Sequence, residues 1–403
     1  MGTIRDERPL RVLVIASTYP ARAGDGTPAF VADLASFTSR TCTTRVLVPR
    51  VGGASQHERR GDLRVRRFPY FFRRWEHVAE GAILENVRAR PWLVLQVPGL
   101  FLAEAAALRR TIRDFNPDVM HVHWIVPQGI VALLAARQIP WVLTTLGGDV
   151  YALRGRVWRG LKRAVLRHAY AVTTMNEDMR DRLLALGSPA ERTWVVPMPA
   201  DLDAVRRSGS GVERVPGRIL FAGRLVEKKG LAVSLDAMRL LPPDLGWSLD
   251  VIGDGPLRLA LERTADGLPV RFLGQRTRHE LAVAMHECEL VVLPSVPAAS
   301  GDQDGLPVTL LEAMGAGCAI VASRMPGIDE AVADGISGVL TTPGDASELA
   351  NAIEELLRDP DRRRRLGGEA ARRAEDFSMD AIGSRFVALL HEAATRASGG
   401  WRS

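Results

Sequence analysis

Of the 53 Lys and Arg residues in this 403-residue chain only three are Lys, and two of those, Lys228 and Lys229, are neighbours. A compact ammonium and a planar guanidinium are not interchangeable at a phosphate, so the pair marks a place where chemistry is specified. It lies in Gly223-Arg224-Leu225-Val226-Glu227-Lys228-Lys229-Gly230, directly after the apolar run 218–222. Gly223 lets the backbone turn at a strand's carboxyl end, where open α/β sheets bind ligands. Arg224 and Lys229, five residues apart across that turn, can reach one diphosphate. A second cluster is Gly301-Asp302-Gln303-Asp304-Gly305-Leu306-Pro307-Val308-Thr309-Leu310-Leu311-Glu312. Pro307 suits the first position of a helix, and the free N–H groups that follow point out of a positive helix end toward phosphate. Glu312 lies one turn deeper than Val308 on the same face, placed to accept hydrogen bonds from two ribose hydroxyls. Asp304, just ahead of the helix, is placed to meet a sugar. One helix end thus has the groups to hold three parts of a nucleotide-sugar.

Other motifs are weaker. Gly253-Asp254-Gly255-Pro256 echoes a dinucleotide fingerprint but lacks the third glycine, which leaves a nicotinamide dehydrogenase a distant reading. Gly24-Asp25-Gly26-Thr27-Pro28 follows the first strand, where Gly26 can bring backbone close to phosphate. His121 and His123, two apart on a strand, share a face. With no third ligand in view, they read as core or acceptor-side histidines.

The elements that must carry these residues follow the alternation of an α/β protein, short apolar runs between longer helical patterns. Strands are expected at 12–16, 44–48, 118–123, 141–145, 171–174 and 193–196. After Ser208-Gly209-Ser210-Gly211 the design restarts, with strands at 218–222, 248–252, 270–273, 290–293, 319–322 and 338–341. The predicted architecture is two Rossmann-like domains with parallel sheets facing a cleft: residues 1–205 for the acceptor, 206–380 for the donor. Residues 381–403 would add a helix crossing back to the first domain, then a disordered tail.

Composition narrows the class. Hydrophobic residues make up 46% of the chain, enough for a globular core, and no apolar stretch approaches the ~18 residues of a membrane span. Three dispersed cysteines suggest neither a disulfide framework nor a zinc site, and a reducing cytoplasm fits. A net charge of +6 suits anionic partners. Residues 59–74 interleave seven Arg with Phe68, Tyr70, Phe71 and Phe72, and 156–168 form a basic amphipathic helix. Either face suits peripheral contact with anionic lipid on the inner side of a membrane. No nucleic-acid module is present.

These motifs resemble the retaining glycosyltransferases of family 4, which have the GT-B fold. The second domain of that family carries a Gly-Arg-Leu…Lys-Gly element, a Gly-x-Gly-Pro turn and an E-x(7)-E motif. The similarity spans essentially the whole chain and is densest from 218 to 345. Gly-Leu-Pro-Val at 305–308 looks most like enzymes of bacterial exopolysaccharide assembly. The resemblance implies that Gly223, Arg224 and Lys229 meet the donor diphosphate and Glu312 the ribose. It also places Gly305, Leu306, Val308 and Thr309 around sugar and phosphate, and the nucleobase near Arg271. Arg224, Lys229 and Asp304 would carry catalysis. The first acid of the motif is Asp304, one methylene shorter than Glu. Thr144-Thr145-Leu146-Gly147-Gly148-Asp149 matches the family's Thr-x-His-Gly-x-Asp, with Leu146 where its sugar-contacting His stands. Asp149 joins His123 as an acceptor-side candidate, or caps its own turn. Asp302-x-Asp304 also has the form of a metal-binding diacid, yet Arg224 and Lys229 already supply charge, so no metal or cofactor is expected. The expected substrates are a UDP- or GDP-hexose and a hydroxyl acceptor, a lipid-linked saccharide or a small molecule. The rivals are a nucleotide-sugar epimerase and a non-catalytic sugar-nucleotide-binding subunit.

Overall fold

A computed structural model describes residues 8–22, 27–81, 83–153 and 155–398. Its first domain is built on β1 (Arg11–Ile15), a run of Val, Leu and Ile buried on both faces, as a strand covered by helices on each side must be. β1 sits inside an eight-stranded sheet with β2 (Thr43–Pro49), β3 (His57–Arg60), β4 (Leu63–Phe68), β5 (Val119–His123), β6 (Trp141–Thr144), β7 (Ala171–Thr174) and β8 (Thr193–Val195). The order is β3-β4-β2-β1-β5-β6-β7-β8, parallel except for the edge strand β3. The second domain holds β9 (Arg218–Ala222), β10 (Ser248–Ile252), β11 (Val270–Gly274), β12 (Leu290–Leu293), β13 (Ala319–Ser323) and β14 (Val339–Thr341). Their order, β11-β10-β9-β12-β13-β14, reverses direction between β9 and β12. That reversal opens the crevice at carboxyl strand ends where such sheets take ligands.

The helix Met379–Ser398 leaves the second domain and packs on the first, against the helix Phe30–Thr38 and β5. Phe386 stacks on His121 with ring centroids 5.2 Å apart. Beyond Ser398, the expected tail lies outside the described residues, as does Gly26.

Two expectations change. Half of the stretch 59–74 is sheet: β3 and β4 form a charged hairpin at the sheet's edge, where charge discourages strand addition. Arg67 is fully buried there, donating to the Pro20 carbonyl. The second change concerns length: the continuous helical segment Pro91–Phe115 is long and apolar enough to cross a membrane by composition alone. In the fold it lies on the first sheet, with Leu93, Leu100, Leu108 and Phe115 buried in that core.

Candidate active site in the interdomain cleft

β9 and β12 flank the reversal point, and the loops leaving them carry the charged residues picked out above. After β9 the chain turns through Gly223 and makes a short 3-10 turn, Glu227–Lys229, ended by Gly230 at φ +67°. Only glycine serves at position 230, because that φ is left-handed and a Cβ would collide with the carbonyl oxygen of Pro294, just past β12. The contact presses the lysine turn against the loop after β12, so the two cationic side chains face Asp302 and Asp304.

Their geometry is a compact ion cluster. Lys229 Nζ lies 2.6 Å from Asp304 Oδ2. Lys228 Nζ lies 3.1 Å from Asp302, 3.6 Å from Asp304 and 4.0 Å from Glu85, and Arg224 pairs with Glu85. Burial by itself would raise the Asp304 carboxyl, but Lys229 and Lys228 outweigh it and hold it below the usual carboxylate range. Burial likewise opposes the charge on Lys228, and Asp304, Asp302 and Glu85 prevail, raising it. Asp304 and Lys228 therefore stay charged within a largely buried pocket. Glu85 comes from the first domain, on the helix Ile83–Ala89, so the cluster bridges the cleft.

The helix spans Val308–Gly315, and Pro307 is extended and caps it from outside instead of taking its first position. Leu306 and Val308 pack on the cores of both domains, and Asn176 donates to the Gly305 carbonyl at 2.7 Å. The helix tip is thus held between the two domains, with Thr309 half-buried beside it. Glu312 lies deeper, 3.6 Å from Arg278, and burial lifts its carboxyl to about 7, with Arg278 opposing that rise. Arg278 also reaches Asp33 of the first domain at 2.8 Å.

Several expected residues are not brought to this place. Arg271 sits at the second position of β11, below the strand's carboxyl end, with both Nε and Nη2 bound to Asp250 at 2.7 Å. A guanidinium satisfied bidentately by a neighbouring strand has no free fork for a base. His123 is fully buried, its ring 4.2 Å from that of His121, and burial holds it well below the ordinary histidine range. The pair is core, covered by the helix Met379–Ser398, and does not face an acceptor. Asp149 accepts from the backbone N–H of Ile125, Leu146 and Gly147 at 2.9, 3.1 and 3.1 Å. Of the two readings of Asp149, its observed place is the cap of that turn. The turn itself reaches the site, for a Cβ on Gly147 would stand 3.3 Å from the backbone of Gln303 and Gly305. The described residues include no group of three or more His, Cys, Asp or Glu with metal-holding geometry.

Sequence reasoning missed Glu85, Arg278 and Asp33. Glu85 and Asp33 face their partners across the cleft, more than a hundred residues away in the chain. Arg278 carried only the capping box Thr277-x-x-Glu280, which marks a helix start and no role.

Comparison with known proteins bears on the fold and the family. The family profile described as "Glycosyl transferases group 1" matches residues 216–359, and the "Glycosyl transferase 4-like domain" matches 25–199. The amylovoran biosynthesis glycosyltransferase AmsK of Erwinia amylovora is 37% identical over 180 residues, 43% of this chain. The chain spans only 44% of that relative's length. The glycogen synthase of Mycobacterium tuberculosis is 30% identical over 306 residues, 71% of either chain. Among solved structures, HepE of Anabaena in complex with UDP-glucose superposes with a TM-score of 0.70 over 95% of this chain and 100% of that one, at 19% identity.

Proposed function

Because the chain belongs to the group 1 glycosyl transferases and has the GT-B fold, we propose that it moves a hexose from a UDP- or GDP-sugar to a hydroxyl acceptor with retention at the anomeric carbon. The observation that carries this reading is the convergence of Arg224, Lys228 and Lys229 on Glu85, Asp302 and Asp304, the last of these four residues ahead of the Val308 helix that carries Glu312. A uridine diphosphate in HepE is a precedent for the donor class. The diphosphate of the donor takes the place of the carboxylates that now hold the cations. The bond from the anomeric carbon to the diphosphate oxygen loosens first, which puts positive charge on the sugar and negative charge on the leaving group. Arg224 and Lys229 stand where that negative charge grows, which is where fixed cations lower the barrier. The acceptor oxygen bonds to the same face of the sugar and passes its proton to the departing phosphate, so no protein base is required. Leu146, partly buried against the first-domain core, supplies no polar contact to the sugar and leaves that electrostatic step dominant. With three cations present, the reaction needs no divalent metal.

The test is product analysis with UDP- and GDP-hexoses in EDTA against a panel of saccharide and lipid-linked acceptors. Transfer with retained configuration is expected. An inverted product, a sugar isomerised without acceptor, or transfer abolished by EDTA overturns the respective part of the reading.

Glu85 competes with the donor for Arg224. Its replacement, Glu85→Gln, is expected to tighten UDP binding by roughly twofold to fivefold, the worth of one such ion pair. Titration calorimetry reads it, and an unchanged affinity removes Glu85 from the cleft's electrostatics.

We further propose that the acceptor is met at a membrane surface. Phe72, Trp75, Trp92 and Leu95 are exposed beside Arg73, Arg74 and Arg90, close to the Glu85 helix at the cleft's edge. Exposed aromatics among arginines suit the boundary of an anionic bilayer. Flotation with phosphatidylglycerol vesicles is expected for the native chain and reduced for Trp75→Ala with Trp92→Ala. Equal flotation of both rules the patch out.

A further inference from the structure

A second concentration of charge lies at the opposite end of the first domain, away from the cleft. β2, β4 and β3 place Arg45, Arg64 and Arg59 in one row, each directly opposite the next in the ladder. Like charges opposed in this way repel and weaken a sheet. Arg11, on β1, and Arg45 also flank a single ring, their guanidinium carbons 4.8 and 4.4 Å from the centroid of Phe115. Among the described residues, no carboxylate lies within ion-pair distance of Arg11, Arg45 or Arg64. Burial lowers the Arg45 pKa, repulsion from Arg64 and Arg11 adds to it, and Asp114, beyond ion-pair distance, opposes it. The cleft differs in this respect, since each of its cations has an acid.

These side chains line a cavity of about 570 Å³, with Arg40 and Arg59 further along its wall and Asp62 as its one acidic lining residue. The volume falls in the range of small-molecule sites. Guanidinium forks match phosphate oxygens two at a time, whereas one carboxylate would neutralise only one of the row. Open α/β sheets bind their substrates at carboxyl strand ends, and this cavity is at the amino ends of β1, β2 and β4. We propose that it is a second anion site, separate from the sugar-transfer cleft, for a small soluble ligand bearing two or more phosphate groups. Such a ligand relieves the repulsion within the row and is held by two or three strands at once.

The probe is inorganic tripolyphosphate, titrated calorimetrically at 0.15 M salt with UDP present to occupy the cleft. Saturable binding of one equivalent is expected for the native chain and for Lys229→Ala. Arg45→Gln combined with Arg64→Gln is expected to weaken it at least tenfold while leaving UDP binding unchanged. Should that double variant fold poorly, Arg64→Gln alone, at an exposed position, is expected to weaken binding severalfold. As a control for net charge, Arg156→Gln with Arg159→Gln on a distant helix is expected to leave binding intact. The proposal is overturned by a lack of saturable binding in the native chain or by equal loss in the distant control. It is overturned equally if Lys229→Ala abolishes binding, which would place the probe in the cleft.

Discussion

Lys229→Ala is expected to lower turnover by ~10²-fold or more, the scale for losing one preorganised group at a developing charge. Lys229 stands 2.6 Å from Asp304 and is presented by a turn that Gly230 locks against the end of β12. Its ammonium therefore needs no reorganisation when the diphosphate becomes more negative. Lys228 remains 3.6 Å from Asp304 in the variant, so the carboxylate keeps a cation and the fold should hold. The loss then belongs to chemistry: kcat should fall more than donor affinity. Lys229→Arg should recover only part of it, because a planar fork does not reproduce a point charge. Single-turnover rates at saturating donor check this, and an unchanged rate in Lys229→Ala removes the residue from the mechanism.

Glu312→Ala is expected to weaken donor binding by roughly tenfold to a hundredfold, from the ~1.5–3 kcal/mol of hydrogen bonds to a charged group. The same residue sets a pH dependence. Burial lifts its carboxyl to about 7, and only the ionised form accepts from both ribose hydroxyls. Donor affinity should therefore improve as the pH rises from 6 to 8, and Glu312→Gln should flatten that rise. Stability runs the other way. A carboxyl whose folded pKa is raised contributes stability that is full below its unfolded value near 4.5, and loses it as the pH climbs through about 7. Glu312→Gln should consequently gain thermal stability relative to the native chain above pH 7. Parallel titrations with UDP and melting curves between pH 5 and 8.5 separate the two effects. A flat affinity profile in the native chain takes Glu312 away from the ribose.

Much of the site was legible because its signals are local. A glycine after a strand, a lysine pair in an arginine-rich chain, and an acid on the helix that begins four residues beyond Asp304 are each readable within a dozen residues. The parallel sheets were legible for the same reason, since an unbroken apolar run such as Val12–Ile15 reads as a strand buried on both faces. Where local pattern was ambiguous, the reading slipped. His57-Glu58-Arg59-Arg60 is too charged to announce a strand, and it forms one only because β4 supplies the ladder and the edge position tolerates charge. Arg271 and His123 carry functional residue types, and whether such a side chain works or packs depends on its neighbours across the sheet. Asp250 occupies the first, and His121, itself under Phe386 of the helix Met379–Ser398, packs on the second.

The amino-acid order alone determined two α/β lobes, the strand ends that face the cleft, and the cations and acids at those ends. Tertiary structure decided what those charges meet: Glu85 and Asp33 crossing from the first domain, Arg278 beside Glu312, and the unpaired arginine row on the far side of the sheet. The division follows from range. Strand and helix periodicity repeats every two to four residues and leaves its mark in the sequence. Charge meeting between segments distant in the chain has no period, and only tertiary packing brings those partners within a few ångströms.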